Sequence, residues 1–311
     1  MEGKYMSENQ KSVGLSIALP NGSLEEGTLR LFEEANLKIW KDPRRHDAFV
    51  DSPLISRATF MRPQHIPRLV EQGTYDIGIC GWDCVIEHNP SEVRVVRITE
   101  LLFGRGDSNG KARVVLVTSK SNSDVNTLLD LNRQPQPVDV LTEYPKITEF
   151  QLASHGIKTR THFSYGGTEA HISSDYRYGV CLTDTGASLE ANDLKIIGVL
   201  LETSTFLIAN PIAVKKFSRE ITAIKHLLVG TLEARSFVFL TMHVSLAKKQ
   251  AVLRTLPALK APTITRLASG RQFSLGTAVS KSQQNDVIVN ILQAGATDVL
   301  VQPILQMVRS W

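Results

Sequence analysis

The feature that most constrains the fold is a recurring order of apolar strand, glycine-containing turn and amphipathic helix. The first copy is a strand at residues 13–19, a turn at residues 21–22 and a helix opened by Ser23, which has capping-box spacing to Glu26. A second copy begins with a strand at residues 76–80. Helix residues on one predicted face of the first copy are Leu24, Thr28, Leu31, Phe32 and Ala35. This alternation predicts an α/β fold with a parallel sheet.

The chain length and one polar segment predict the domain organisation. A chain of 311 residues is long enough for about two or three domains. The segment GRGDSNG at residues 104–110 predicts a crossing between two α/β lobes, and apolar strands at residues 196–201 and 205–209 return the chain. We expect a discontinuous first lobe and a continuous second lobe, with bounds at residues 12–106 plus 191–235 and at residues 107–190.

The last part of the chain has a different rhythm. Strands are predicted at residues 237–244, 263–267, 273–279 and 299–303, with helices at residues 246–256 and 283–293. The resulting order is βαββαβ, which is the ferredoxin-like split unit. We therefore expect a separate ferredoxin-like domain at residues 236–311.

Composition and cysteine content exclude several classes of protein. The formal charge of +4, from 35 basic and 31 acidic residues, is not concentrated in any run, so no nucleic-acid partner is expected. Residues 1–11 are polar, and no window approaches the ~20 apolar residues of a membrane span, which predicts a cytoplasmic protein without a signal peptide. Cys80, Cys84 and Cys181 match no disulfide or zinc framework and are expected to be buried thiols.

Several common catalytic motifs are absent from the sequence. There is no G-x-x-x-x-G-K-[ST] loop, no G-x-G-x-x-G after a strand, no H-E-x-x-H and no G-x-S-x-G. The eight histidines are scattered, so no catalytic metal held by the protein itself is expected. A reaction between two bound phosphate compounds is consistent with this pattern, because it depends on position and charge rather than on a covalent nucleophile.

The most informative segment is a strand-to-helix turn at residues 178–194. A strand at residues 178–182 runs through a short turn into a helix that begins near Ala187. Backbone N–H groups at such a helix start bind phosphate. The candidate phosphate-binding residues are Asp184, Thr185, Gly186, Ala187, Ser188 and Leu189. An ordinary capped helix N-terminus without a bound phosphate would have the same residues.

Three further turns occupy equivalent positions after predicted strands. Gly166 and Gly167 would let the backbone approach a ligand, and Glu169 could hold ribose hydroxyls, although a flexible turn with an exposed Glu explains the letters equally well. Because ligands in parallel α/β sheets bind beyond the carboxyl ends of strands, four such turns predict a cleft between two lobes. The other two candidate turns contain Asn21, Gly22 and Ser23, and Gly81 and Asp83.

At these segments the sequence resembles the ATP phosphoribosyltransferase family over nearly its whole length. Residues 184–192 (DTGASLEAN) resemble the family's phosphoribosyl-diphosphate loop, and residues 166–169 (GGTE) resemble a second turn. The motifs RPQHIP at residues 62–67 and DIGICGWD at residues 76–83 also fit. Further matches lie at residues 142–145, 207–210, 257–263 and 294–296, and the last two resemble the regulatory domain of the long form.

The resemblance implies a fold and a reaction. It implies a two-lobed, periplasmic-binding-protein-like catalytic region followed by the ferredoxin-like domain, which would act in regulation. N1 of ATP would displace pyrophosphate from C1 of phosphoribosyl diphosphate and give phosphoribosyl-ATP, the first step of histidine biosynthesis. Mg²⁺ would be carried on the substrate phosphates. Histidine would act as an allosteric inhibitor, and the chain would form a homo-oligomer, from dimer to hexamer.

The resemblance also implies roles for individual residues. The loop at residues 185–189 would hold the 5′-phosphate, and Glu169 would lie near the ribose. Arg62 would offer a planar cation to the pyrophosphate, and Arg45 or Arg44 would do similar work. For each arginine, an exposed salt bridge is the alternative role.

Two departures from the family pattern motivate an alternative function. Cys181 stands where the family usually has an acidic residue, and Asn21 replaces a lysine of the first turn. A catalytically weak paralogue that serves as a regulatory or binding subunit would explain both. A solute-binding protein is a third possibility, since two α/β lobes around a cleft also describe that class.

Overall fold

The computed structural model describes residues 14–41, 47–103, 110–172, 174–257, 262–268 and 270–308. The chain divides into two compact units, Met1–Lys225 and His226–Trp311. Within the described ranges, no helix is long and apolar enough to cross a membrane. All three cysteines are free, buried thiols, as predicted.

The first unit contains eleven strands and most of the helices among its described residues. The strands are β1 Leu15–Pro20, β2 Ile39–Lys41, β3 Asp47–Val50, β4 Ile55–Met61, β5 Ile77–Gly81, β6 Val96–Leu101, β7 Lys111–Ser119, β8 Val138–Thr142, β9 Thr159–Phe163, β10 Tyr178–Thr183 and β11 Leu194–Ala209. The helices are α1 Glu25–Glu34, α2 Ile66–Glu71, α3 Trp82–His88, α4 Pro145–Ser154, α5 Ala187–Ala191 and α6 Pro211–Lys216, and α7 Ser218–Ala234 runs into the second unit.

These strands form one sheet in the order β2-β3-β4-β1-β5-β11-β7-β10-β8-β9, with β6 paired to β11. Strand β1 is parallel to β4 and β5, and β8 is parallel to β9 and β10, which confirms the predicted α/β class. The sheet is mixed rather than parallel as predicted, because β7 and β11 pair antiparallel with their neighbours. We call β1–β6 the first half-sheet and β7–β10 the second half-sheet. Each half has its own apolar core, formed around Ile66 and Cys80 in the first and around Val140 and Ile147 in the second.

Strand β11 joins the two half-sheets. We expected separate strands at residues 196–201 and 205–209, but β11 is a single strand of 16 residues. Its first part pairs with β7 and its last part pairs with β5 and β6. The polar residues Thr203 and Ser204, which lie between the two predicted strands, are buried within β11, and their hydroxyls donate to Asp83 and Glu100.

The start of α1 differs from the sequence prediction. Gly22–Leu24 form a 3₁₀ turn, and α1 begins at Glu25 with Leu24 as its N-cap and no side-chain capping bond. The predicted capping box at Ser23 is therefore wrong, because the left-handed φ of +71° at Gly22 delays the helix. The predicted buried face is confirmed by Thr28, Leu31, Phe32 and Ala35.

The second unit confirms the ferredoxin-like prediction. Its elements are β12 Phe237–Ser245, α8 Lys249–Thr255, β13 Thr263–Arg266, β14 Gln272–Ser280, α9 Gln284–Gln293 and β15 Ala296–Pro303. The antiparallel sheet has the order β13-β14-β12-β15. Alternate residues of β12, including Leu240 and Met242, pack with Val252 and Ile291 of the helices to form the core.

Candidate active site

The predicted phosphate loop is a tight turn between β10 and α5. Gly186 is the N-cap of α5 and has a left-handed φ of +85°, a conformation that glycine adopts without strain. Its N–H donates to Thr183 Oγ1 at 3.1 Å, and the N–H of Thr185 donates to Asp184 Oδ1 at 2.6 Å. No atom lies within 4 Å of the position that a Cβ on Gly186 would take, so the turn is open on that side.

Of the backbone N–H groups of residues 186–189 at the start of α5, two have partners inside the loop. Gly186 bonds to Thr183, and the N–H of Ala187 donates to Thr185 Oγ1 at a long 3.4 Å. Among the described residues, the N–H groups of Ser188 and Leu189 have no acceptor. The side chain of Leu189 is 3% exposed and packs in an apolar cluster, so only its backbone is available to a ligand.

The two most informative motifs meet in space. The hydroxyl of Ser188 donates to Glu169 Oε1 at 3.2 Å, which links the loop after β10 to the turn after β9. Gly166 and Gly167 have φ of +119° and +65°, and both are exposed, with no atom within 4 Å of where a Cβ would lie. This corner of the second half-sheet therefore offers backbone, hydroxyl and carboxylate groups to one ligand.

The corresponding turns of the first half-sheet also adjoin each other. Arg62 follows β4 and is exposed, and it forms no ion pair among the described residues. Asn21 follows β1, and its N–H donates to the carbonyl of Met61 at 2.8 Å. Gly22 and Ser23 are exposed beside it. Arg44 and Arg45 lie outside the described residues.

Asp83, which we expected to bind substrate, has protein partners in this structure. The residue is 5% exposed, and its carboxylate accepts from the Tyr144 hydroxyl at 3.0 Å and from Thr203 Oγ1 at 2.9 Å. Its side chain folds over Gly81, where a Cβ would lie 2.2 Å from Asp83 Oδ1. Asp83 thus connects α3 of the first half-sheet to α4 and β11.

Burial and the nearby Asp83 raise the pKa of Tyr144 well above its usual value, so the Tyr144 hydroxyl stays protonated and donates its hydrogen bond.

A second contact between α3 and α4 was missed by the sequence analysis. Glu87 accepts from the backbone N–H groups of Lys146 at 3.0 Å and Ile147 at 2.9 Å, and so caps α4. Burial raises the pKa of this carboxyl group. The local sequence shows only that α4 begins at Pro145. Tyr144, the N-cap residue, makes no capping hydrogen bond with its own side chain. A capping partner 59 or 60 residues away cannot be read from local spacing.

Cys181 lies in the core below the loop rather than at its surface. It is 1% exposed and packs with Val115, Val117, Leu141 and Leu194. Burial, with smaller contributions from Glu169 and Glu143, raises the pKa of the thiol to about 12. The thiol is therefore neutral at physiological pH.

No three side chains of His, Cys, Asp or Glu converge on a metal site in the described part of the chain. A divalent ion that is coordinated mainly by substrate phosphates needs only one or two protein carboxylates. Asp184 and Glu169, at the two turns of the second half-sheet, supply carboxylates of that kind.

Comparison with known proteins gives matches along most of the chain. Residues 62–230 match a family model described as ATP phosphoribosyltransferase, and residues 234–306 match one described as HisG, C-terminal domain. The ATP phosphoribosyltransferase of Desulforudis audaxviator is 34% identical over 292 residues, which cover 93% of this chain and 98% of the relative. That of Pelotomaculum thermopropionicum is 31% identical, with coverage of 94% and 99%.

The fold is also similar to that of solved structures. A chain of an ATP phosphoribosyl transferase (HisG:HisZ) complex from Thermotoga maritima aligns with a TM-score of 0.58 and 21% identity. The alignment covers 70% of the present chain and 98% of the other. At this identity the likeness concerns the fold alone.

Proposed function

This chain belongs to the ATP phosphoribosyltransferase family, and we propose that the corner formed by the turns after β9 and β10 binds the phosphoribosyl group. The enzyme joins ATP to phosphoribosyl diphosphate, giving phosphoribosyl-ATP and pyrophosphate, and thereby opens histidine biosynthesis. The single observation that supports the proposed site is the hydrogen bond from Ser188 to Glu169, because it links the turn predicted to bind the phosphate to the carboxylate predicted to bind the ribose.

The proposed roles follow from what each group offers. The N–H groups of Ser188 and Leu189 and the hydroxyls of Thr185 and Ser188 donate to the 5′-phosphate. Glu169 accepts from the ribose hydroxyls and holds C1 in line with N1 of adenine. Arg62 carries a planar cation toward the departing pyrophosphate, where negative charge develops, and Arg45 assists it. Asp83 acts through Tyr144 and Thr203 as a positioning residue rather than through the substrate.

Mg²⁺ is the metal we propose for this reaction. It supplies charge neutralisation on the diphosphate and triphosphate groups. Asp184 and Glu169 would complete its coordination from the protein side.

We further propose that the second unit binds histidine and inhibits the first unit. The catalytic region would end near residue 235, with residues 107–190 as the lobe that holds the phosphate loop and residues 12–106 and 191–235 as the other lobe. The related HisG of Thermotoga maritima was solved in complex with HisZ. Because the present chain carries its own C-terminal unit, we propose a homo-oligomer, from dimer to hexamer.

The proposal is tested by mixing the purified protein with ATP, phosphoribosyl diphosphate and Mg²⁺ and following ultraviolet absorbance. We expect product to accumulate, and histidine to slow its formation. A preparation that forms no product over a wide range of both substrates would exclude catalysis and favour the weak-paralogue alternative.

That alternative also has a test of its own. It predicts that replacing Asn21 with Lys restores a missing cation and raises turnover sharply. We expect no large gain, because Arg62 lies at the neighbouring turn and remains free of ion pairs among the described residues.

A further inference from the structure

A cavity of about 600 Å³ is lined by residues of β6, β7, β11 and α3. This volume is in the range of small-molecule binding sites. Asp184, the first residue of the phosphate loop, is part of its wall, so a ligand in the cavity would adjoin a phosphoribosyl group bound at that loop.

Three cations line this cavity: Arg97, Lys111 and Arg113. Lys111 and Arg113 alternate along β7 and therefore project to the same face. In the part of the chain that the structure describes, none of the three forms an ion pair or a side-chain hydrogen bond. Unpaired cations gathered at a concave site are available to an anionic ligand.

Arg97 is held in a fixed orientation by aromatic rings. Its guanidinium carbon lies 3.9 Å from the ring centroid of Trp82 and 4.6 Å from that of Phe206. The two rings are themselves in contact, with centroids 5.4 Å apart. Stacking fixes the plane of the guanidinium while leaving its N–H groups free, which is the arrangement that binds phosphate oxygens in a bidentate manner.

Carboxylates also line the cavity, and they narrow the class of ligand. Ser204 Oγ donates to Glu100 Oε1 at 2.5 Å, and Glu202 lies opposite Arg113 in the strand register. A bare anion would be repelled by these groups. A polyphosphate that carries a divalent cation satisfies both signs, because the cations contact phosphate oxygens and a carboxylate reaches the metal.

We propose that Arg97, Lys111 and Arg113 form the subsite for a magnesium-bound polyphosphate chain of one substrate. This inference rests on the proposed function, since two substrates of the reaction carry such chains: the triphosphate of ATP and the diphosphate of the sugar. Arg97, fixed by Trp82 and Phe206, determines the orientation of the chain. Lys111 and Arg113 supply the remaining charge.

The proposed subsite is tested by calorimetric titration of the protein with three ligands, each in the presence of Mg²⁺: ATP, phosphoribosyl diphosphate and inorganic tripolyphosphate. We expect Arg97→Gln and Lys111→Gln each to weaken tripolyphosphate binding by about tenfold or more. Arg97→Lys, which keeps the charge but loses the planar fork, should lie between wild type and Arg97→Gln. The matched control is Lys158→Gln, an exposed lysine after α4 that lies outside the cavity.

The two substrate titrations identify which chain occupies the subsite. Weakened ATP binding with unchanged phosphoribosyl diphosphate binding assigns the triphosphate, and the reverse result assigns the diphosphate. If both variants bind all three ligands as tightly as wild type does, the subsite is refuted. Lys111 is exposed, so Lys111→Gln keeps the test decisive if Arg97→Gln does not fold. Absence of product from the wild-type protein would instead count against the proposed function.

Discussion

At the scale of single residues, Gly186 is the position where backbone conformation and ligand access coincide. Its φ of +85° is strained for any side chain, and the space beside it is open. We expect Gly186→Val to weaken binding of phosphoribosyl diphosphate by about tenfold or more, because a β-branched residue strains the turn and covers the loop. Calorimetry measures the effect directly.

The matched control is Gly156→Val. Gly156 also has a left-handed φ, +77°, and it lies in an exposed turn after α4. The control variant should lose similar stability but keep its affinity for the sugar. Equal losses of affinity in both variants would contradict the assignment of the loop.

Cys181 gives a second prediction at this scale. An aspartate there would place an unpaired carboxylate among Val115, Val117 and Leu141. We expect Cys181→Asp to lower the free energy of unfolding by about 3–5 kcal/mol without raising turnover. Denaturant unfolding and steady-state kinetics check the two parts. Cys181→Ala is the control and should stay folded, and a faster Cys181→Asp enzyme would mean that the acidic group belongs at this position.

Sequence reasoning works well for residues whose role is set by local backbone. The positive φ values at Gly22, Gly166, Gly167 and Gly186 fit the prediction of tight strand-to-helix turns at these glycines. The partners of Asp83 could not be predicted, because Thr203 is 120 residues away along the chain. A side chain's exposure depends on which distant segment packs over it, and that is fixed only by the whole fold.

At the scale of elements, we expect the contact between α3 and α4 to make the stability of the protein depend on pH. The pKa of Glu87 is raised from its ordinary value of 4.5 in the folded protein, so folding favours its protonated form. The stability that the raised pKa of Glu87 contributes is present in full below pH 4.5, and it is lost as the pH rises through the folded-state pKa. The Glu87→Gln variant has no carboxyl group to ionise at this position. We therefore expect its stability relative to wild type to increase as the pH rises through the folded-state pKa of Glu87.

Thermal unfolding of both proteins between about pH 4 and pH 7 measures this difference. Glu26→Gln, which alters an exposed carboxyl group of α1, serves as the control. A constant difference between Glu87→Gln and wild type across the range would show that the carboxyl group does not titrate with folding.

The elements themselves are predictable to different degrees. The βαββαβ order of the second unit follows from clear alternation of apolar strands and helices. Two strands are predicted in place of β11 because residues 202–204 interrupt its apolar pattern. Those residues stay in the strand because β7 supplies their ladder partners and because their buried hydroxyls find acceptors in Asp83 and Glu100.

At the scale of the whole molecule, the second unit should make the enzyme sensitive to histidine. We expect histidine to inhibit product formation and light scattering to report multiples of the 34.4 kDa chain. Inhibition at a distance requires two states with different histidine affinity, so substrate should in turn weaken histidine binding. Histidine titrations with and without phosphoribosyl diphosphate measure that reciprocity, and equal affinities would exclude the coupling.

The proposed function depends above all on the turn between β10 and α5, which we expect to hold the 5′-phosphate of the sugar. A crystal structure with phosphoribosyl diphosphate and Mg²⁺ tests it most directly. We expect the phosphate to lie within hydrogen-bond distance of the Ser188 and Leu189 N–H groups, with the ribose hydroxyls bound to Glu169. A well-ordered ligand whose 5′-phosphate lies at any other turn would contradict it.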